Sequence, residues 1–363
     1  MKNTYGSSIS VSLFGESHGD MIGAVIDGMA PGIKINNSYI KEKLQQRRPS
    51  GKISTARCES DEYSIVSGVF NGYTTGTPIC ILIPNTNTKS KDYEKLSTVP
   101  RPSHADFTAE CKYHGYQDYR GGGHFSGRIT AAIVLAGAII ADALKSKGIE
   151  IGTHISRLGP FRDKEFTCHM SDIAILSKKL FPVIDGDTEA SMSQYIMECA
   201  KMKDSVGGVL ETCVIGMPAG VGEPWFDTVE SQLSHILFSV PGIKGVEFGA
   251  GFGFADMLGS EANDPFAIKD GCVVTETNNN GGINGGITNG MPIIFRCAVK
   301  PTPSIFKEQK TVDLSTMTDT VQVIEGRHDP AIIHRARAVV DAVTAIAIAD
   351  LLALRYGTDW LAN

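Results

Sequence analysis

The stretch GRITAAIVLAGAIIADALKSK, residues 127–147, decides how the rest of the chain is read. Small and apolar residues occupy nearly every side of it, and Gly148 supplies a stop. A helix that is apolar all round lies inside a core, not on a surface. A second stretch of this kind, AVVDAVTAIAIADLLAL at 338–354, sits within a helix predicted over 330–355, with Pro330 at its start and Gly357 past its end. Asp142 and Asp350 interrupt the two apolar runs, 129–143 and 342–354, leaving each short of the ~20 residues a membrane-spanning helix needs. The expectation is a buried helical pair in a protein with no membrane span.

Around these helices the signals are mixed. Short Ile- and Val-rich runs punctuated by Gly or Pro predict strands at 8–14, 24–27, 63–70 and 79–83, then at 207–216, 245–252 and 292–300. Helices are predicted from the caps at Asn36–Ser38 to about Gln46, over 187–202 and over 227–238. Hairpin-like strand pairs interleaved with long helices favour α+β over a doubly wound parallel sheet. No Pro/Ser-rich linker divides the chain and no fixed period recurs, so a single domain over 1–363 is expected. Residues 85–97 read as an exposed loop, and the Asn/Gly-rich 274–290 as a long functional or disordered connection.

Composition narrows the function. A formal net charge of −6 excludes a nucleic-acid binder held by global charge, but not a local anion pocket. The 39 glycines in 363 residues, about one in nine, exceed the usual ~7%. That implies many tight turns or close backbone approaches to a ligand. The eight cysteines include no C-x-x-C pair, which favours reduced buried thiols over a zinc or dithiol site. The opening Met-Lys-Asn-Thr-Tyr-Gly has no apolar h-region, so a cytoplasmic location is expected.

Five polar strings stand out. GESHG at 15–19 follows a strand and presents Ser17 and His18 in a turn; it lacks the strand-to-helix elbow of a hydrolase. RPSHAD at 101–106 sets His104 beside Arg101 and Asp106. Arg120 precedes GGGHFSGR at 121–128, and this glycine loop running into a helix start between two arginines is the physical recipe for an anion site. It is neither a Walker A loop nor a G-x-G-x-x-G turn. KPTPS at 300–304 and GRHDP at 326–330 each add a cation next to hydrogen-bonding groups, and Arg47-Arg48 adds another basic point. Cations gathered in Gly- and Pro-marked segments of an acidic protein point to a pocket for a polyanionic small molecule, with histidines for proton transfer.

In this order and spacing the five strings closely resemble the chorismate synthase family, from Ser8 to about Ala349; PGIKGVEFG at 241–249 and GGINGGITNG at 281–290 resemble it too. The resemblance implies a helical core sandwiched between antiparallel four-stranded sheets, assembled as a homotetramer. It implies a carbon–oxygen lyase that converts 5-enolpyruvylshikimate-3-phosphate into chorismate and phosphate by anti-1,4-elimination. This is the last common step of the shikimate pathway to the aromatic amino acids. The reaction needs reduced FMN, without net redox change. On the family's pattern His18 protonates the flavin, His104 the departing phosphate, and Asp329 serves flavin N5 and removal of the C6 proton. Flavin-binding positions are His124, Phe125, Ser126, Pro241, Gly242, Gly285, Lys300, Pro301, Thr302, Pro303, Ser304 and Arg327. Arg47 falls on a position assigned to NADPH or substrate. Ser17, Arg48, Arg101 and Arg128 are implied substrate or flavin contacts. No added reductase domain is evident, so an external flavin reductase, with NADPH as a candidate reductant, is implied. Two other classes share the basic loops: a flavin-dependent oxidoreductase with net hydride transfer, and a non-catalytic anion-binding protein.

Overall fold

The computed structural model describes residues 2–49, 53–54, 60–86, 98–324, 326 and 329–362. The two apolar stretches form its centre. The helix Thr130–Ser146 buries most of its length, and the helix Ile333–Tyr356 buries residues from Ile333 to Ala353. They approach closely because the contact is made of small residues: a Cβ added at Gly137 would stand 2.4 Å from the Ala342 Cβ. The helices Asn37–Arg47 and Val229–Leu237 pack beside them.

One antiparallel sheet lies on each side. The first runs Thr4–Tyr5, Ser10–Gly15, Met21–Asp27, Ile79–Pro84, Ser64–Ser67 and packs on Thr130–Ser146. The second runs Ile243–Phe248, Ile293–Val299, Gly208–Ile215, Glu150–Leu158, Phe161–Arg162 and packs on Ile333–Tyr356. This is the expected α+β sandwich, with one difference. Each sheet has four longer strands plus a two-residue edge strand, Thr4–Tyr5 or Phe161–Arg162.

Other expectations need correction. The interior strand Glu150–Leu158 and the helices Asp106–Tyr113 and Met170–Ser177 were not anticipated. With its preceding 3₁₀ turn, the first core helix reaches Gly127–Ser146, 20 residues, long and apolar enough by composition to cross a membrane. In the fold 78% of its most apolar window is buried by protein, which is what an all-round apolar core helix requires. The 274–290 connection is hydrogen-bonded rather than structureless. Asp264 accepts from Asn279 N, Asn280 N and Asn280 Nδ2 at 2.7–2.9 Å, and Ile283–Asn284 pairs with Ile287–Thr288.

Buried polar side chains tie the layers together. Asp350, on the last helix, accepts from the backbone N–H groups of Ser7, Ser8 and Ile9 at 2.7–3.0 Å, anchoring the first sheet. Asp341 accepts from Thr153 Oγ1 at 2.6 Å, anchoring the second. Across that second sheet Glu247, Arg296, Glu211 and His154 stand in register. His154 is held between Asp163 Oδ2 at 2.8 Å and Glu211 Oε2 at 3.0 Å.

Candidate active site

A cavity of about 960 Å³ opens beside the helical core. Its volume suits a small-molecule site. Three kinds of wall meet in it. Apolar side chains come from the first sheet and core helices: Val11, Leu13, Ile133, Val339 and Ile346. The glycine loop contributes His124, Phe125 and Ser126. A rim of turns brings Pro241 and Gly242, Lys300 to Ser304, His104 and Asp329. Arg47 closes it from the end of the Asn37–Arg47 helix. Segments far apart in sequence thus line one space.

The glycine loop works by lacking side chains. Gly121, Gly122 and Gly123 all hold left-handed φ values, 60°, 85° and 53°, a region glycine enters without steric cost. A Cβ on Gly121 would meet His18 Cε1 at 2.2 Å, and one on Gly122 would lie 3.3 Å from His104 Cε1. Consecutive glycines therefore face the two imidazoles that the sequence singles out. His124 Nδ1 donates to Gly15 O at 2.8 Å, stitching this loop to the GESHG turn.

His18 and Ser17 are buried but do not line the cavity. Ser17 Oγ lies 3.1 Å from His18 Nδ1 and 3.2 Å from the carbonyls of Arg120 and Gly121. Arg48, Arg101 and Arg128 also stand outside the lining. Arg47, Arg48 and Arg128 all bind the carboxylate of Asp61, whose side chain is fully buried. Burial opposes ionisation of Asp61, yet Arg47 and Arg128 outweigh it and hold the carboxyl below its ordinary range. Arg101 is paired with Asp106 at 2.7 Å. Gly285 sits at the tip of the Ile283–Asn284/Ile287–Thr288 hairpin, away from the cavity. Arg327 and residues 87–97 fall outside the described residues.

Asp329 lies four residues before the last helix, which begins at Ile333 rather than at Pro330. It is therefore not at a helix N-terminus. It pairs with Arg335, whose Nε also donates to Arg47 O at 2.9 Å. Arg335 and Asp61 were missed by sequence reading. Arg335 had a faint signal, a cation in the first turn of an apolar helix; Asp61 had none.

Unused hydrogen-bonding capacity lies in two residues of this lining. Arg47 Nε and Thr302 Oγ1 are buried and have no hydrogen-bond partner among the described residues, and both residues line the cavity. Buried polar atoms are rarely left so. Burial, and Lys244 nearby, lower the pKa of Lys300, whose Nζ donates to Ser103 O at 2.6 Å. Two orphaned polar groups, cations and a broad apolar wall fit ligands that combine a flat ring with anionic and carbonyl acceptors, as a flavin beside a phosphorylated acid does.

Comparison with known proteins agrees with this geometry. The chain matches the chorismate synthase family over residues 9–353. It is 46% identical to the chorismate synthase of Thermococcus gammatolerans, over 96% of this chain and 97% of that one. It is also 46% identical to that of Dehalococcoides mccartyi strain BAV1, over 98% of each. A solved crystal structure of a chorismate synthase superposes with a TM-score of 0.76 at 26% identity, covering 97% of this chain and 94% of that one. With the motifs, the sandwich and the cavity in agreement, the chain belongs to the chorismate synthase family.

Proposed function

We propose that this protein eliminates phosphate from 5-enolpyruvylshikimate-3-phosphate to give chorismate, with reduced FMN bound in the cavity described above. The carrying observation is that residues from four of the five motifs, His104, Ser126, Lys300, Thr302 and Asp329 among them, line one space of about 960 Å³. Val11, Leu13, Ile133, Phe125 and the 300–304 turn would hold the flavin ring, and Arg47 Nε and Thr302 Oγ1 would meet acceptors on the ligands. Reduced FMN, when bound, supplies an electron-rich ring that can lend electron density and recover it.

The chain's own residues supply position and protons. The reaction breaks the C3–O bond and the C6–H bond and forms one C=C bond. His104 donates a proton to the departing phosphate, and a donor there lowers the barrier to expelling a dianion. Asp329, held by Arg335, is the final acceptor for the proton lost from C6. Guanidinium groups suit the phosphate and the two carboxylates of the substrate. The apolar walls exclude water and strengthen every charge interaction inside. His18, packed against Gly121 behind the glycine loop, would set the proton balance beside a bound flavin.

The same proposal extends to the assembly. Phe266, Ile268 and Val273 are exposed on one hairpin, Phe266–Lys269 with Cys272–Thr275. Such an apolar patch supports a homo-oligomer, which we take to be a tetramer. An external NADPH-dependent flavin reductase and a cytoplasmic location complete the reading.

The test is anaerobic incubation of the protein with the shikimate-derived substrate and chemically reduced FMN. Chorismate absorbance and one free phosphate per chorismate are expected, with the flavin still reduced at the end. Oxidation of one flavin per turnover would establish hydride transfer instead. Binding with no phosphate released would leave an anion-binding protein.

A further inference from the structure

Asp106 is assigned no part by the motif reading, yet its carboxylate is among the most heavily bonded in the protein. It is the first residue of the helix Asp106–Tyr113. Its Oδ2 accepts from Arg101 N at 2.9 Å and Arg101 Nε at 2.7 Å. Its Oδ1 lies 2.7 Å from Arg101 Nη2 and 2.7 Å from His104 Nδ1. Burial opposes ionisation, but the hydrogen bonds from Arg101 and His104 prevail and hold the carboxyl well below the usual range. Asp106 is therefore an anion at any working pH, and an anion can only accept.

A competition follows at His104 Nδ1. Arg101 Nη2 also stands close to it, at 2.9 Å. If Nδ1 carries a proton, it donates to Asp106; if it is bare, it accepts from Arg101. The contact to the carboxylate is the shorter one and is charge-assisted. Arg101 is already engaged by both oxygens of Asp106.

We propose that Asp106 is a positioning residue for His104: its carboxylate fixes the Nδ1–H tautomer and leaves Nε2 as the atom that exchanges a proton with the ligand. The other neighbours do not supply this. Gly122 faces the ring with no side chain. Lys300 Nζ is on Ser103 O. Glu110 and Asp118 line the small crevice on the other side of the His104 segment, where Glu110 accepts from Gln117 and Asp118 pairs with Arg120. In Asp106→Asn the charge is gone and Arg101 is released to donate to Nδ1. The neutral ring then changes to the Nε2–H tautomer, and the imidazolium faces an uncompensated guanidinium.

The experiment has a spectral and a kinetic half, both on the full chain. In the spectral half, histidine is labelled with ¹⁵N and the His104 signals are assigned by their loss in His104→Gln. Neutral His104 of the wild type should show a protonated Nδ1; Asp106→Asn should show a protonated Nε2; Asp106→Glu should restore the wild-type pattern. A protonated Nε2 in the neutral wild-type ring overturns the proposal without any variant. The kinetic half rests on the reading that His104 protonates the phosphate. Asp106→Asn should lose roughly 10²–10⁴-fold in kcat with KM within about threefold, the size of losing a correctly poised acid–base group. Its alkaline limb should move to lower pH, with partial rescue in Asp106→Glu. The expected spectra with unchanged kcat would overturn the assigned reaction role of His104 while leaving the tautomer assignment standing. An unchanged tautomer in Asp106→Asn would overturn the positioning role.

Discussion

Replacing Gly121 with alanine separates two costs that usually arrive together. The residue has φ 60° and ψ 16°. An alanine there pays about 1–2 kcal/mol for left-handed backbone. Its Cβ would also stand 2.2 Å from His18 Cε1, 2.4 Å from His18 Nδ1 and 2.8 Å from Ser17 Oγ. Carbon atoms in contact sit at roughly 3.5–4.0 Å, so the buried imidazole must retreat by more than about 1 Å and leave Ser17. A displacement of that size in a reacting group is worth roughly 10²-fold in rate. Gly122→Ala is the control. Its φ is 85°, so the backbone cost is alike, but its Cβ would lie 3.3 Å from His104 Cε1, and a shift of tenths of an ångström accommodates it. Thermal unfolding should show both variants destabilised by the backbone cost, Gly121→Ala further by its clash with buried His18. The anaerobic chorismate assay with reduced FMN should show a kcat loss near 10²-fold for Gly121→Ala and only a few-fold for Gly122→Ala. Equal kcat losses in the two, or a Gly121→Ala enzyme within threefold of wild type, would refute the idea that the glycine exists to seat His18.

At Gly137 an alanine would press its Cβ to 2.5 Å from the Ala342 Cα as well as onto its Cβ, so the helices must part; denaturant melts should show about 1–3 kcal/mol of lost stability with KM unchanged. His154 should make stability pH-dependent. Burial disfavours its charged form, but Asp163 and Glu211 prevail and raise its pKa above the unfolded value of ~6.5. Its contribution is then full below pH ~6.5 and lost as pH rises through the folded value. His154→Gln should flatten that alkaline decline in urea melts from pH 5 to 9. Asp329→Asn keeps shape but removes the base: substrate and FMN titrations should be near wild type, while single-turnover chorismate formation falls by roughly 10²-fold or more.

The parts of the fold legible in the sequence were those where one force dominates. Thr130–Ser146 and Ile333–Tyr356 bury nearly every side, so apolarity alone marks them. Glu150–Leu158 escaped because two of its buried positions are polar and break the apolar run. Thr153 and His154 are fully buried only because Asp341, Asp163 and Glu211 wait for them on other elements. A local reading prices such residues as exposed, since their partners lie far away in sequence. The helices Asp106–Tyr113 and Met170–Ser177 have eight residues each, too few for a clear helical period. For the site, motifs carried by short contiguous strings were legible, and the cavity brings residues of most of them together. Asp61 and Arg335 carry no string and gain their meaning only from side chains that other segments deliver.

The arginines show what a sequence count of cations leaves out. Arg47, Arg48, Arg101, Arg120 and Arg128 all stand in segments that read as anion-binding. Every one of them already holds a carboxylate: Asp61 for three, Asp106 for Arg101, Asp118 for Arg120. A guanidinium has five donors, so pairing uses only part of each fork. What the pairing adds is fixation. Asp61 draws Arg47 and Arg128 into one buried place although like charges repel, and Arg335 bonds Arg47 O while pairing with Asp329. The donor left over at Arg47 Nε is then fixed in direction before any ligand arrives. A fixed dipole or charge stabilises a developing anion without reorganising at the moment of reaction. The internal carboxylates are thus not competitors of the ligand. They convert a set of flexible cations into an oriented one, and that orientation is carried by acidic residues that a search for positive charge passes over.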